Sequence, residues 1–218
     1  MIGFLTGALL LLLTQSSAAL GVPVEPIETN LDFKVFINDR EVGSHNFRLF
    51  EQGENLQVSS TMHLDFKVLL IKKIKYHHQA EEVWQGGCLV SLKSQTLKQG
   101  KTFTVNASSS SEGLLVANAE GSRTIDGCAR GFAYWNPRFL EADFLLNAES
   151  GEYLPVEIST SLSEQNNITH MLIAGPQADV RLQYDAAGNW LSLESELQIG
   201  GLIRYQRVMH NLAPHTGQ

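Results

Sequence analysis

Strict alternation of apolar and polar residues is the feature that most limits how this chain can fold. Across residues 56–70 the even positions are apolar apart from Ser60, and the odd positions are polar apart from Leu69. Side chains on a β-strand point alternately to its two faces, so this period of two predicts a long strand with one dry face and one wet face. The same period recurs in residues 31–37, 103–107, 154–158, 180–184, 191–193 and 203–205.

Short turn sequences separate these alternating stretches. They occur at residues 38–39, 52–54, 85–87, 99–101, 187–189 and 200–201. Strands joined by such tight turns are antiparallel neighbours, because a parallel connection needs a crossover of about a dozen residues or more. The sequence therefore predicts a mainly β fold, built as a single antiparallel meander.

One interruption in the β pattern predicts a helix. Asn136 is a good helix cap and Pro137 suits the first helical position, so we expect a short helix near residues 137–147, which carry several apolar side chains. A strand as long as residues 56–70 would extend roughly 50 Å if it were flat. We therefore expect the sheet to curl into an open or half barrel around this one short helix.

The N-terminus has the pattern of an export signal. An apolar run over residues 8–13 is followed by Ser17, Ala18 and Ala19, the small residues that a signal peptidase requires. We expect cleavage after Ala19, a single β-rich domain over residues 20–218, and a periplasmic location. No later segment has the roughly 18 continuous apolar residues of a membrane-spanning helix, so no membrane span is expected.

Charge and cysteine content exclude several classes of protein. A net charge of -7 offers no attraction to nucleic acid. The two cysteines, Cys88 and Cys128, form no CxxC pair, which argues against a thioredoxin-like motif and a cysteine zinc site. A disulfide is chemically allowed in an exported protein, but spacing alone does not establish one. We expect these cysteines not to be obligatorily linked.

Two ionisable residues share the apolar side of a predicted strand over residues 74–84. By parity, His78 and Glu82 lie on the same face as a Tyr and a Trp. They could be a polar anchor or an acid/base pair inside an apolar cavity. The alternative, which we favour, is a bulge after Ala80 that turns Glu82 into solvent and leaves His78 bonded to a neighbour.

Metal and cofactor binding are not indicated. In the adjacent pairs His77-His78 and Glu81-Glu82 only one member could reach a given ion, because neighbouring side chains on a strand point to opposite sides. His63, His77 and Glu81 could converge on the polar face, but nothing in the sequence fixes the register of their strands, so a solvated face is the better interpretation. We therefore expect no metal site. The chain has no GxSxG, HExxH, GxGxxG or phosphate-loop sequence, and no cofactor is expected.

The residues just before the predicted helix are the remaining candidate site. Tyr134, Trp135 and Asn136 follow Cys128, and aromatic rings beside a polar helix start suit the mouth of a site for an apolar ligand with one polar end. The same rings could instead close off the sheet. Cys128 as a nucleophile would need a nearby base, and His78 and His170 are only remote candidates.

Several of these segments resemble a family of secreted bacterial proteins known only as a domain of unknown function. The resemblance rests on residues 76–107, 127–128, 132–137, 145–147, Gly151 and 188–190. It implies a bacterial source and a periplasmic location, and it offers no known activity to transfer to this chain. A looser similarity, of architecture only, is to the open-barrel lipoprotein carriers of the Gram-negative periplasm, which have a cavity for acyl chains.

Three functions are compatible with this sequence. The leading hypothesis is a periplasmic binding protein that shelters an apolar ligand such as a lipid or fatty-acyl chain. The second is an enzyme acting on a hydrophobic substrate through His78, Glu82 and Cys128. The third is a structural or partner-binding module of the envelope with a filled core. Fold class does not choose among them, whereas an empty apolar cavity would favour the first.

Overall fold

A computed structural model describes residues 25–68, 72–198 and 200–209 of the chain. The predicted export signal over residues 1–19 and the end of the predicted long strand at residues 69–70 lie outside the described residues. Among these residues, none of the helical segments has the length and hydrophobicity of a transmembrane helix.

The fold is mainly β, as the alternation predicts, and contains one large antiparallel sheet. Thirteen strands form this sheet in the order β11-β12-β13-β14-β15-β1-β2-β3-β4-β5-β6-β7-β8, and β9 and β10 form a separate pair. The strands are β1 Ile27–Ile37, β2 Arg40–Gln52, β3 Asn55–Val68, β4 Lys72–Gln85, β5 Cys88–Lys98, β6 Lys101–Ser110, β7 Gly113–Asn118, β8 Gly121–Ile125, β9 Phe144–Leu146, β10 Tyr153–Pro155, β11 Glu157–Ser163, β12 Ile168–Ala174, β13 Val180–Tyr184, β14 Trp190–Glu196 and β15 Leu202–Arg207.

The sheet consists of two meanders that meet where β1 pairs with β15. Strands β8 and β11 form the two edges, so the sheet is not closed. This is the open-barrel architecture that long, one-sided strands predict. The alternation in β3 is confirmed, since Val58, Met62 and Phe66 are buried and their odd-numbered neighbours are not.

Residues 126–156 connect the two meanders and cover the apolar face of the sheet; we call them the crossing segment. Trp135 packs edge-on against Trp84 of β4, with ring centroids 5.5 Å apart. Tyr134 lies beside Trp190 of β14, at 5.7 Å. Leu140 and Leu145 are fully buried. The crossing segment therefore packs against strands from both meanders and completes the core.

The prediction of a helix near residues 137–147 is wrong in its type and length. In this range the described structure has a single turn of 3-10 helix, Pro137–Leu140, which Asn136 caps by accepting a hydrogen bond from the Arg138 amide. The residues that follow pair with other backbone instead. Leu146 donates to the Arg130 carbonyl, and β9 pairs with β10. These tertiary hydrogen bonds replace the internal bonds that would have continued a helix.

Candidate functional site

A cavity of about 260 Å³ lies between the sheet and the crossing segment. Three groups of residues line it. Strands β2 to β4 supply His45, Phe47, Ser60, Met62, Tyr76, His78 and Glu82; the crossing segment supplies Phe132, Tyr134, Trp135, Asn147, Ala148, Glu149, Leu154 and Val156; β12, β13 and their connection supply Ile173, Gly175, Pro176, Gln177, Ala178 and Val180.

Four of the six predicted site residues reach this cavity. They are His78, Glu82, Tyr134 and Trp135. Asn136 instead caps the 3-10 helix, and Cys128 is bonded to Cys88. Parity along β4 correctly places His78 and Glu82 on the inner face, and the tertiary packing of the crossing segment brings Tyr134 and Trp135 over them.

The interpretation that a bulge after Ala80 turns Glu82 into solvent is wrong. The irregularity between β4 and β5 falls between Val83 and Trp84, and it leaves Glu82 facing inward and half-buried. The Trp84 indole Nε1 donates to the Glu82 carboxylate at 2.8 Å. Burial raises the pKa of Glu82 to about 7, although the indole hydrogen bond opposes this shift.

The buried imidazole of His78 has a neighbour to bond with. Thr96 lies directly opposite on β5, and its hydroxyl is 2.7 Å from His78 Nδ1. Burial lowers the pKa of His78, while the charge of Glu149 acts in the opposite direction. This contact confirms the expectation that His78 is hydrogen-bonded to a neighbouring group.

His45 is a wall residue that our reading of the sequence missed. It lies opposite Met62, which in turn lies opposite His78, so the three form one row across β2, β3 and β4. The Tyr205 hydroxyl is 3.3 Å from His45 Nδ1. Among the described residues, His45 Nε2 is buried without a hydrogen-bond partner. Burial lowers the pKa of His45 to about 3, which keeps the ring neutral.

The parity of β2 could have revealed His45. Phe47 is buried and Leu49 packs against the core, so the alternation His45, Phe47, Leu49 points this imidazole inward. Glu149 and Tyr76 were also missed. The Tyr76 hydroxyl donates to Glu149 at 2.9 Å, and Lys98 pairs with the same carboxylate at 3.0 Å. This contact joins residues far apart in sequence, so only the tertiary structure shows it.

The histidines on the outer face form a pair and not a larger cluster. His63 lies opposite His77, and their Nδ1 atoms are 2.8 Å apart. Glu81 lies opposite Ser59, four residues farther along the strands, which is about 13 Å away. Within the described ranges, no group of three or more His, Cys, Asp or Glu residues could hold a metal ion.

The prediction that Cys88 and Cys128 are not obligatorily linked is wrong, because the structure joins them in a disulfide with a Cα separation of 5.1 Å. The Leu89 amide donates to the Ala129 carbonyl at 2.9 Å, which holds the start of the crossing segment beside β5. The spacing of the two cysteines in the sequence does not predict this disulfide. A disulfide sulfur is not a free thiolate, so Cys128 is not a nucleophile here.

Comparison with known proteins supports the fold and leaves activity open. Residues 33–208 match a family described as Domain of unknown function (DUF6134). The fold is similar to the crystal structure of a beta-barrel-like protein of Domain of Unknown Function DUF1849 from Brucella abortus. The TM-score is 0.57 at 8% sequence identity, over 86% of this chain and 97% of that chain. No curated protein matches the chain. The expected resemblance to an uncharacterised, barrel-like family is confirmed.

Proposed function

The chain belongs to the DUF6134 family, and from its cavity we propose that it is an exported binding protein that shelters an apolar ligand, in the class of lipids and fatty-acyl chains. The supporting observation is the cavity of about 260 Å³ under the crossing segment. An engineered apolar cavity of about 150 Å³ already takes up benzene, so the space here suffices for a larger guest.

The size of the cavity limits how much of a ligand it encloses. At ~30 Å³ for each methylene-sized group, the share of one water molecule in the liquid, the volume accommodates roughly eight such groups. A longer acyl chain would place only one end inside. The aromatic wall formed by Phe132, Tyr134 and Trp135 suits contact with an apolar chain.

Export is supported by the disulfide as well as by the N-terminal pattern. Structural disulfides form and persist in oxidising compartments such as the bacterial periplasm, and Cys88 is bonded to Cys128. We expect cell fractionation to recover the protein from the periplasm with a mass that corresponds to cleavage after Ala19. A full-length cytoplasmic product would contradict this location.

Ligand binding is tested by two measurements. Native mass spectrometry of protein isolated from its own periplasm, followed by organic extraction, should recover an apolar molecule at one equivalent. In vitro, the neutral dye N-phenyl-1-naphthylamine should bind with increased fluorescence and be displaced by 1-octanol.

A cavity-filling variant locates the binding site. Ala148 lines the cavity, so Ala148→Leu should weaken dye binding at least tenfold. Ala186→Leu, in an exposed turn, is the matched control and should bind like the wild type. Dye binding that survives Ala148→Leu, in a protein with unchanged circular dichroism, would place the site elsewhere.

A further inference from the structure

The charges on the cavity wall all have the same sign. The wall contains two carboxyl groups, Glu82 and Glu149. Of the residues described by the structure, no Lys or Arg side chain lines it. A ligand with a negative charge would therefore enter a partly apolar space without a cationic partner, which is a costly arrangement.

The partners of the two carboxyl groups on the wall do not provide a binding site for an anion. Glu149 has one cation, Lys98, at 3.0 Å, and the Lys98 side chain is 49% exposed, so this cation is shared with solvent. Glu82 receives its hydrogen bond from the neutral indole of Trp84. Neither residue gives the cavity a net positive charge.

The imidazoles on the wall are neutral as well. Burial lowers the pKa of both His45 and His78, and each ring already uses Nδ1, toward Tyr205 and Thr96 respectively. A neutral imidazole exchanges hydrogen bonds with hydroxyl, ester or amide groups but does not compensate a full negative charge. His45 Nε2, which has no partner among the described residues, is such a group on this wall.

We infer that the ligand carries no negative charge, so that the cavity takes an acyl chain as an alcohol, ester or amide and rejects the free fatty carboxylate. This inference rests on the proposed function, since it specifies the ligand of the same cavity. A comparison of ligands that share an acyl chain and differ in charge tests the inference without any change to the protein.

The test uses the oxidised, mature protein at pH 8, where octanoate is ionised, with N-phenyl-1-naphthylamine as the displaced probe. Methyl octanoate and 1-octanol should displace the dye, and octanoate should be weaker by on the order of 100-fold. Octanoate that binds as well as its methyl ester would overturn the inference and leave the proposed function standing. Failure of the dye and of all three compounds to bind would overturn both.

A pair of variants assigns the selectivity to the wall. Glu82→Gln removes an inward carboxyl from the cavity wall, so the ratio of octanoate affinity to 1-octanol affinity should rise about tenfold. Glu81→Gln removes the adjacent carboxyl on the exposed outer face and should change neither ligand. Equal gains for octanoate in both variants would show that the discrimination comes from overall charge, and would overturn the assignment to the cavity.

Discussion

Trp84 and Glu82 lie two residues apart on the inner face of β4, and the indole of Trp84 donates a hydrogen bond to the Glu82 carboxylate at 2.8 Å. Trp84 is almost completely buried, and the same indole packs edge-on against Trp135 of the crossing segment. The carboxyl group on the cavity wall is thus held by a residue of the core, and changes at Glu82 should affect stability as well as binding.

Glu82→Gln should make the protein more stable at alkaline pH. The pKa of Glu82 is raised from 4.5 to about 7 in the folded protein, so the folded state holds its proton more tightly than the unfolded state. Stability from this group is therefore present below pH 4.5 and is lost as the pH rises through 7. At pH 8 the variant should exceed the wild type by up to about 3 kcal/mol.

Urea unfolding between pH 4.5 and pH 8 measures this difference. The two proteins should be closest at the acidic end, where Glu82 is protonated in the folded state and about half protonated in the unfolded state. Glu81→Gln, on the exposed face of the same strand, is the control and should follow the wild type throughout. Parallel stability curves for wild type and Glu82→Gln would contradict the buried, raised-pKa environment of this carboxyl.

The disulfide should be complete and should contribute substantially to stability. Intact mass under non-reducing conditions should be two hydrogens below that of the reduced protein. Cys88 and Cys128 are 40 residues apart, and closing a loop of this size in the unfolded chain stabilises a protein by about 4 kcal/mol. The Cys88→Ser/Cys128→Ser variant should lose stability of this order in urea unfolding, and a loss below 1 kcal/mol would contradict the expectation.

Trp135→Ala should destabilise the protein, because this side chain belongs to the core as well as to the cavity. It is 8% exposed and packs against both Trp84 and Phe139. The expected loss is about 3 to 5 kcal/mol in urea unfolding. Weaker dye binding at a temperature where the variant is still folded should accompany it. Lost binding with an unchanged melting temperature would instead show that Trp135 only lines an entrance.

Gly43→Ala should be strongly destabilising, although the change adds one methyl group. Gly43 has φ 155°, and a Cβ at this position would overlap the carbonyl oxygen of His63 on β3. The expected cost is about 3 kcal/mol, from backbone strain and displacement of the strand. Gly53→Ala, where nothing lies within 4 Å of the added Cβ, should cost only about 1 kcal/mol; equal effects would contradict the close approach at Gly43.

Thr96→Val should cost about 1 to 3 kcal/mol, because it leaves the buried His78 imidazole without its partner. Thr96 is completely buried and lies 2.7 Å from His78 Nδ1. Thr104→Val, on the exposed face of β6, is the matched control. If both variants unfold at the same urea concentration as the wild type, His78 does not depend on this hydrogen bond.

The sequence by itself determined the strands and the face on which each side chain lies. Parity along β3 and β4 separated buried from exposed residues and placed His78 on the inner face. For Glu82 parity also indicated the inner face, but we favoured a bulge that turned it into solvent, and that interpretation was wrong. Parity along β2 likewise places His45 on the inner face, with the core residues Phe47 and Leu49. These features depend on a local rule, because successive side chains on a strand alternate whatever the strand pairs with.

Only the tertiary structure decided how the crossing segment covers the sheet, and hence what the cavity contains. Local signals correctly placed a cap at Asn136, but hydrogen bonds from distant backbone ended the helix at Leu140. The Cys88–Cys128 disulfide and the Tyr76–Glu149 contact likewise join residues that are far apart in the chain. Such contacts depend on the packing of separate elements, and packing is a property of the folded chain that no local pattern of residues encodes.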